Sequence, residues 1–321
     1  MKANPGGQIA ASDVIGRDKL IQSLWHTLER QSLVLCAERR MGKTCVIKKM
    51  VAEAPQEDLL CMYRDLEGVR TLPEFIETVF SDVKSYLSRL NRTMKRVQQF
   101  LTQIGGTEIG GVLKLPDIAA SHWKVLLTRI MEDLAEHQDR AVVFFWDEVP
   151  LMIYNIKRRA DEDTAMELLD TLRSLRQMYP SLRMVFTGSI GLHNVITALK
   201  RSGYANDPTN DMDTKDVPPL SPGDAQELAR LLLEGEDIVT DDLQATARAI
   251  AEAVDDNPYY IHQVISQMRD RRGCIENEAT AREIVNACLT DPLDCWHMSH
   301  YRERIDTYYT PEEQPFALGL L

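Results

Sequence analysis

Three short apolar runs, Leu33–Ala37, Leu59–Tyr63 and Val142–Trp146, and a fourth expected strand, Arg183–Thr187, apolar at Met184–Phe186, punctuate the first two-thirds of this chain, with helix-period stretches between them. A strand that is apolar at successive positions has no face left for water, so it belongs in a sheet covered on both sides. Such strands alternating with helices build βαβ units and a mostly parallel sheet. Apolar periodicity predicts the helices: residues 18–30, Lys43 to about Ala52, Pro73–Leu90, Ser121 to about His137, and Asp163–Met178. Thr107–Leu115, beside Gly105-Gly106 and containing Gly110-Gly111, predicts a β-hairpin.

The pattern changes after about residue 200. Tyr204–Pro219 is rich in Asn, Asp and Pro and reads as a loop with room for one short strand. From Ser221 the periodicity is helical only, near 222–234, 241–254, 258–271 and 279–289. Ser221-Pro222-Gly223-Asp224 supplies a capping hydroxyl, a proline at the first helical position and an acid in the first turn. The expected division is an N-terminal tail at 1–13, loose over its first eight residues, an α/β core at 14–219, a helical domain at 220–290 and a C-terminal segment at 291–321. Thr310-Pro311-Glu312-Glu313 starts a further helix just before the chain ends.

Composition narrows the classes. Hydrophobic residues at 44% and charged residues at 27% of 321 are globular values. Thirty-seven basic against 49 acidic side chains leave a net charge of −12, which argues against a dominant nucleic-acid surface. No apolar run approaches the roughly 18 residues of a membrane span, and Met1–Gln8 lacks the apolar core of a signal peptide. The six cysteines contain no CxxC pair and read as buried free thiols in a reducing cytoplasm. Cys288, Cys295, His297 and His300 lie close in sequence, but their spacing matches no common zinc site, and a packed turn is the expectation.

The chemistry concentrates at Ala37-Glu38-Arg39-Arg40-Met41-Gly42-Lys43-Thr44, between a buried strand and a helix. A loop in that position presents backbone N–H groups and a helix N-terminus to phosphate oxygens. Gly42 allows close approach, Lys43 reaches the β- and γ-phosphates, and the Thr44 hydroxyl coordinates Mg²⁺. Ala37 stands where the usual pattern has glycine, which a small residue at negative φ satisfies. The run Val142–Trp146 ends in Asp147-Glu148, placing two acids at the carboxyl end of a strand, where ligands sit in open α/β sheets. Asp147 would hold Mg²⁺ through water, and Glu148 would orient or deprotonate the attacking water. Met184–Phe186 leads into Thr187-Gly188-Ser189, whose hydroxyls could reach the γ-phosphate or that water.

Together these motifs resemble the P-loop ATPases of the archaeal-ATPase and STAND group within the AAA+-like (ASCE) assembly. Two further stretches carry the resemblance: Val14-Ile15-Gly16-Arg17, similar to the family's N-terminal box beside the adenine, and Asn257-Pro258-Tyr259-Tyr260, similar to its lid motif. The resemblance implies that a sensor strand lies between the P-loop strand and the acidic strand. It also implies that a helical lid closes over ATP or ADP, with Pro258 approaching the base, and that 291–321 begins a winged helix. The implied nucleotide set is Ile15, Gly16, Arg17, Arg39, Arg40, Met41, Gly42, Lys43, Thr44, Cys45 and Pro258, with Thr44 and Asp147 for Mg²⁺. Glu148, Lys43, Thr187, Ser189 and Arg40 carry the chemistry.

Arg39 and Arg40 could instead face solvent or pair with Glu38 or Asp65, and Lys200-Arg201 could supply an arginine in trans. His262 stands where a sensor arginine is expected. The expected function is a cytoplasmic, Mg²⁺-dependent ATPase switch that controls its own oligomerisation or a partner protein. The alternatives are a DNA-handling ATPase of the loader or transposition-regulator type and a non-hydrolysing nucleotide-bound scaffold.

Overall fold

The computed structural model describes residues 1–57, 59–103, 107–109, 112–114, 122–137, 140–188, 192–201, 203–271, 273–294, 296 and 298–319. Strands β1 (Ser32–Cys36), β2 (Leu60–Asp65), β5 (Val142–Asp147), β6 (Leu182–Thr187) and β7 (Met212–Asp216) form one sheet in the order β2-β5-β6-β1-β7. Every pairing in it is parallel. A separate antiparallel hairpin joins β3 (Thr107–Ile109) to β4 (Val112–Lys114). The helices are α1 (Asp18–Leu28), α2 (Lys43–Glu53), α3 (Leu72–Arg89), α4 (Lys95–Gln103), α5 (Trp123–Glu136), α6 (Val149–Arg159), α7 (Glu162–Met178) and α8 (Leu192–Arg201). They continue with α9 (Pro222–Gly235), α10 (Leu243–Ala253), α11 (Pro258–Asp270), α12 (Glu278–Leu289), α13 (Ser299–Tyr308) and α14 (Gln314–Leu318).

The chain divides into two compact units. One comprises Ser23–Cys36 with Met50–Asp216; the other comprises Met1–Gln22, Ala37–Lys49 and Val217–Leu321.

The first unit is the sheet and its covering helices. All six residues of β5 are buried. Phe144 and Trp146 alternate with Phe145 along the strand, so the two sets face opposite layers. Trp146 meets Phe75 of α3 edge-on at 5.2 Å and stacks on Phe186 of the neighbouring strand at 5.9 Å. On the other face Phe145 meets Trp25 of α1 at 6.1 Å. Burial on both faces is what the apolar runs required, and β6 lies between β1 and β5 as the family resemblance implies. Helix α3 opens with a complete capping box: Glu74 N–H donates to Thr71 Oγ1 at 3.4 Å, and Thr71 N–H to Glu74 Oε2 at 3.1 Å.

The second unit has its own core, drawn from α9 to α12 with Trp296. Ser221 caps α9 and Asn257 caps α11, each accepting a backbone N–H from the first turn. The first residues are not the loose tail expected. Ala3 is buried in this core, its N–H donates to Glu236 Oε1 at 2.7 Å, and Asn4 N–H donates to His262 Nδ1 at 3.1 Å. Gly235 makes room for them, since a Cβ there would overlap the Met1 carbonyl.

Other differences are local. Helices α4, α6, α8 and α13 lie outside the expected set, whereas β7 is the one short strand for which the Tyr204–Pro219 loop had room. Ser121 lies outside the described residues, and His122, at the N-cap of α5, makes no side-chain cap. Cys36, Cys45 and Cys61 are partly buried, Cys288 is buried and Cys274 is exposed, and none of these five is in a disulfide. Cys295 and His297 lie outside the described residues. Among the described residues no helix is long and apolar enough to cross a membrane, and no group of three His, Cys, Asp or Glu could hold a metal ion.

Candidate nucleotide site

The loop leaves the carboxyl end of β1 and enters α2 at Lys43. Gly42 adopts φ +86°, a left-handed conformation that strains any side chain, while a Cβ there would meet nothing nearer than Cys45 Cβ at 4.0 Å. The requirement for glycine is therefore conformational. Arg40 is also left-handed, at φ +69°, which is costly for a residue with a side chain. Lys43 is buried, and its ammonium donates to the Ala37 carbonyl at 2.9 Å and the Glu38 carbonyl at 3.0 Å. The lysine thus folds back over its own loop, close to the main chain that would cradle phosphate. Thr44 and Cys45 follow in the first turn of α2. Burial, the largest cause, raises the Cys45 thiol pKa.

The N-terminal box and the lid motif pack on this loop. Arg17 is buried at 4% exposure; its guanidinium donates to the Met41 carbonyl at 3.0 Å and to the Pro218 carbonyl at 2.7 Å. Gly16, at φ +70°, passes Asp224 so closely that a Cβ would stand 2.5 Å from that residue's Cβ. Ile15 lies against the helical core. Pro258 opens α11, and Asn257 Nδ2 donates to Met41 Sδ at 3.5 Å. The Arg39 carbonyl accepts from Tyr301 Oη at 3.4 Å. Arg40 donates to the Trp296 carbonyl and lies 4.1 Å over the Tyr259 ring, so neither Glu38 nor Asp65 is the partner seen for it here. Sequence reasoning missed Trp296 and Tyr301, because neither belongs to a motif.

In the sheet unit, the carboxyl ends of β5 and β6 gather the other candidates. Asp147 is buried at 4% exposure and accepts the Glu148 N–H at 3.1 Å. Glu148 is left-handed at φ +59° and precedes α6. Thr187 is buried, and its Oγ1 has no hydrogen-bond partner. Gly188 draws the two strand ends together: a Cβ there would stand 2.6 Å from Pro150 Cδ and 3.4 Å from Glu148 Cα. Ser189 lies outside the described residues. Tyr63 adds a phenol hydrogen-bonded to Asp147; burial first, then the charges of Asp147 and Asp65, raises its pKa. The signal for Tyr63 was its alternation with Asp65 on β2, whose partner in register is Asp147. Lys200 pairs with Asp207 at 3.1 Å.

A strained acid beside a buried orphan hydroxyl suits a site that completes itself with a ligand. Hydroxyl and carboxylate oxygens are the hard donors that Mg²⁺ prefers, and Thr44 in one unit and Asp147 in the other each carry such a donor.

The AAA domain family matches residues 26–196. No curated protein sequence matches the chain significantly. Among solved structures, a Walker-type ATPase of Pyrococcus abyssi is similar at 17% identity and TM-score 0.62, over 96% of this chain and 81% of that one. The ADP form of the ORC2 protein of Aeropyrum pernix is similar at 10% identity and TM-score 0.51, over 98% and 87%. At these identities the likeness is one of fold. The family match spans more than half of the chain and runs from α1 through the loop before Lys43 to the end of β6 and beyond; this chain belongs to the AAA domain family and is a P-loop, AAA+-like ATPase by descent.

Proposed function

We propose that this chain binds ATP and hydrolyses it to ADP and phosphate, and that the bound nucleotide sets a switch controlling self-association or a partner protein. The observation that carries the reading is the turn from β1 into α2, with Gly42 held left-handed and Lys43 opening the helix. Main-chain N–H groups from Met41 to Cys45 would donate to phosphate oxygens, and Lys43 would exchange its two carbonyl partners for the β- and γ-phosphates. Arg39 and Arg40 add positive charge at the same loop.

Thr44 and Asp147 would hold Mg²⁺, which when bound neutralises phosphate charge. Glu148 would accept a proton from the attacking water as its oxygen bonds to the γ-phosphorus and the bond to the bridging oxygen breaks. The unpartnered Thr187 hydroxyl would donate to the γ-phosphate or position that water, with Ser189 as a second hydroxyl. Ile15, Gly16 and Pro258 would border the base, and Arg17 would hold the loop open through the Met41 carbonyl.

The test is calorimetry with ATP and Mg²⁺ beside a phosphate-release assay. Lys43→Ala is expected to remove the binding heat. Glu148→Gln is expected to keep it and to lower turnover at least about a hundredfold, the lower end for loss of a general base. Wild-type turnover by Lys43→Ala would overturn the assignment. Tight ADP without turnover in the unmodified chain would make it a scaffold, and turnover dependent on added DNA would move it to the DNA-handling class.

A further inference from the structure

Three consecutive loop residues are gripped by the helical unit. The Arg39 carbonyl accepts from Tyr301, the Arg40 guanidinium rests on Tyr259 and donates to the Trp296 carbonyl, and Met41 is held by Arg17 and Asn257. Trp296 and Met298 are themselves tied down. Trp296 is buried, its ring lies 5.0 Å from Tyr260, and the Tyr260 hydroxyl donates to Met298 Sδ at 3.1 Å.

This docked arrangement holds two unfavourable features. Arg40 is left-handed at φ +69°, a conformation that persists only where surrounding contacts impose it. The Trp296 indole Nε1–H is buried with no acceptor, which costs its desolvation. The partners that hold Arg40 are neutral: a carbonyl dipole, an aromatic face and the Tyr260 phenol. A triphosphate two or three residues along the same loop would offer the guanidinium charged oxygens in the planar geometry it matches best.

We propose that Arg40 is a phosphate-responsive latch. Without nucleotide it fastens Trp296–Tyr301 to the loop; when a nucleoside triphosphate occupies the cradle, the guanidinium turns to the phosphates and the segment is released. The inference rests on the nucleotide reading and adds what that site controls. By linkage, loosening the latch strengthens nucleotide binding, because less must be broken for Arg40 to reach the phosphates.

The experiment is hydrogen exchange of peptides spanning 296–308 in the full chain, with and without a saturating non-hydrolysable ATP analogue, beside calorimetric Kd values. Exchange across this segment is expected to quicken severalfold with the analogue. Arg40→Gln should show the quick exchange already without nucleotide and no further change. Tyr259→Leu, which removes the ring but no loop residue, should quicken exchange and bind the analogue roughly five- to tenfold more tightly, whereas Tyr259→Phe should behave as the unmodified chain. Analogue binding with exchange across 296–308 unchanged would overturn the latch and leave the nucleotide reading standing. Slow exchange retained in Arg40→Gln would overturn it equally. Absence of any binding heat would overturn the nucleotide reading, and the latch's ligand with it.

Discussion

Residues that sequence patterns mark for chemistry are, in this chain, also the ones held in costly states. Gly42 carries a backbone twist that a side chain would resist, Glu148 bears the same left-handed twist as a non-glycine, and Thr187 hides a hydroxyl with nothing to bond. Gly188 shows how tight this region is. A methyl group there would press on the Pro150 ring at 2.6 Å, and a proline ring cannot swing aside. Gly188→Ala is therefore expected to cost about 1–3 kcal/mol, read as a lower denaturant midpoint, and to disturb Glu148 on the far side of the contact. A midpoint equal to that of the unmodified chain would show that the strand end relaxes freely.

Elements were legible where they bury one kind of surface. Strand β5 and helix α3 declare themselves by period and by caps, and their observed limits lie within a residue or so of expectation. Strand β7 shows only as room for a short strand within 204–219, because four of the five residues of Met-Asp-Thr-Lys-Asp are polar and the strand sits at the sheet edge beside β1. Its place is secured by a remote residue. Arg176 of α7 is buried, grips Asp211 through two bonds of 2.9 and 2.7 Å, donates to the Pro208 carbonyl at 2.7 Å and lies over Phe186. Asp211→Ala would strand that guanidinium. The expected loss is on the order of 3 kcal/mol, with the loop ahead of β7 the first to exchange its amides. Asp211→Asn, which keeps an acceptor, should recover part of it. Equal stability of the alanine variant would show that Pro208 suffices.

At the scale of the molecule, the chain's first residues complete the helical unit, and one buried imidazole depends on them. His262 accepts the Asn4 N–H at Nδ1, and burial lowers its pKa to about 4. The unfolded chain takes up that proton near pH 6.5, so the folded state loses stability as pH falls from there towards 4. This amounts to about 2 kcal/mol by pH 5. Thermal melts at pH 7 and pH 5 are expected to differ more for the unmodified chain than for His262→Asn. Equal differences would remove the imidazole from the account. Deleting residues 1–4 should lower stability at both values, since Glu236 and His262 lose their backbone donors.

Local chemistry alone determined the parallel sheet, the phosphate-loop motif and the acids at a strand end, because continuous apolar runs, a Gly-Lys-Thr turn and capping boxes act over a few residues. Only tertiary structure decided that Arg40 faces the Tyr259 ring, that Tyr63 bonds Asp147, that Arg17 holds a carbonyl, and that a polar strand lies at the sheet edge. Each of those depends on partners far apart in sequence, from Arg40 and Trp296 to Arg17 and Pro218, and side-chain patterns along the chain carry no record of which distant carbonyl, ring or carboxylate will be the neighbour once the core has closed.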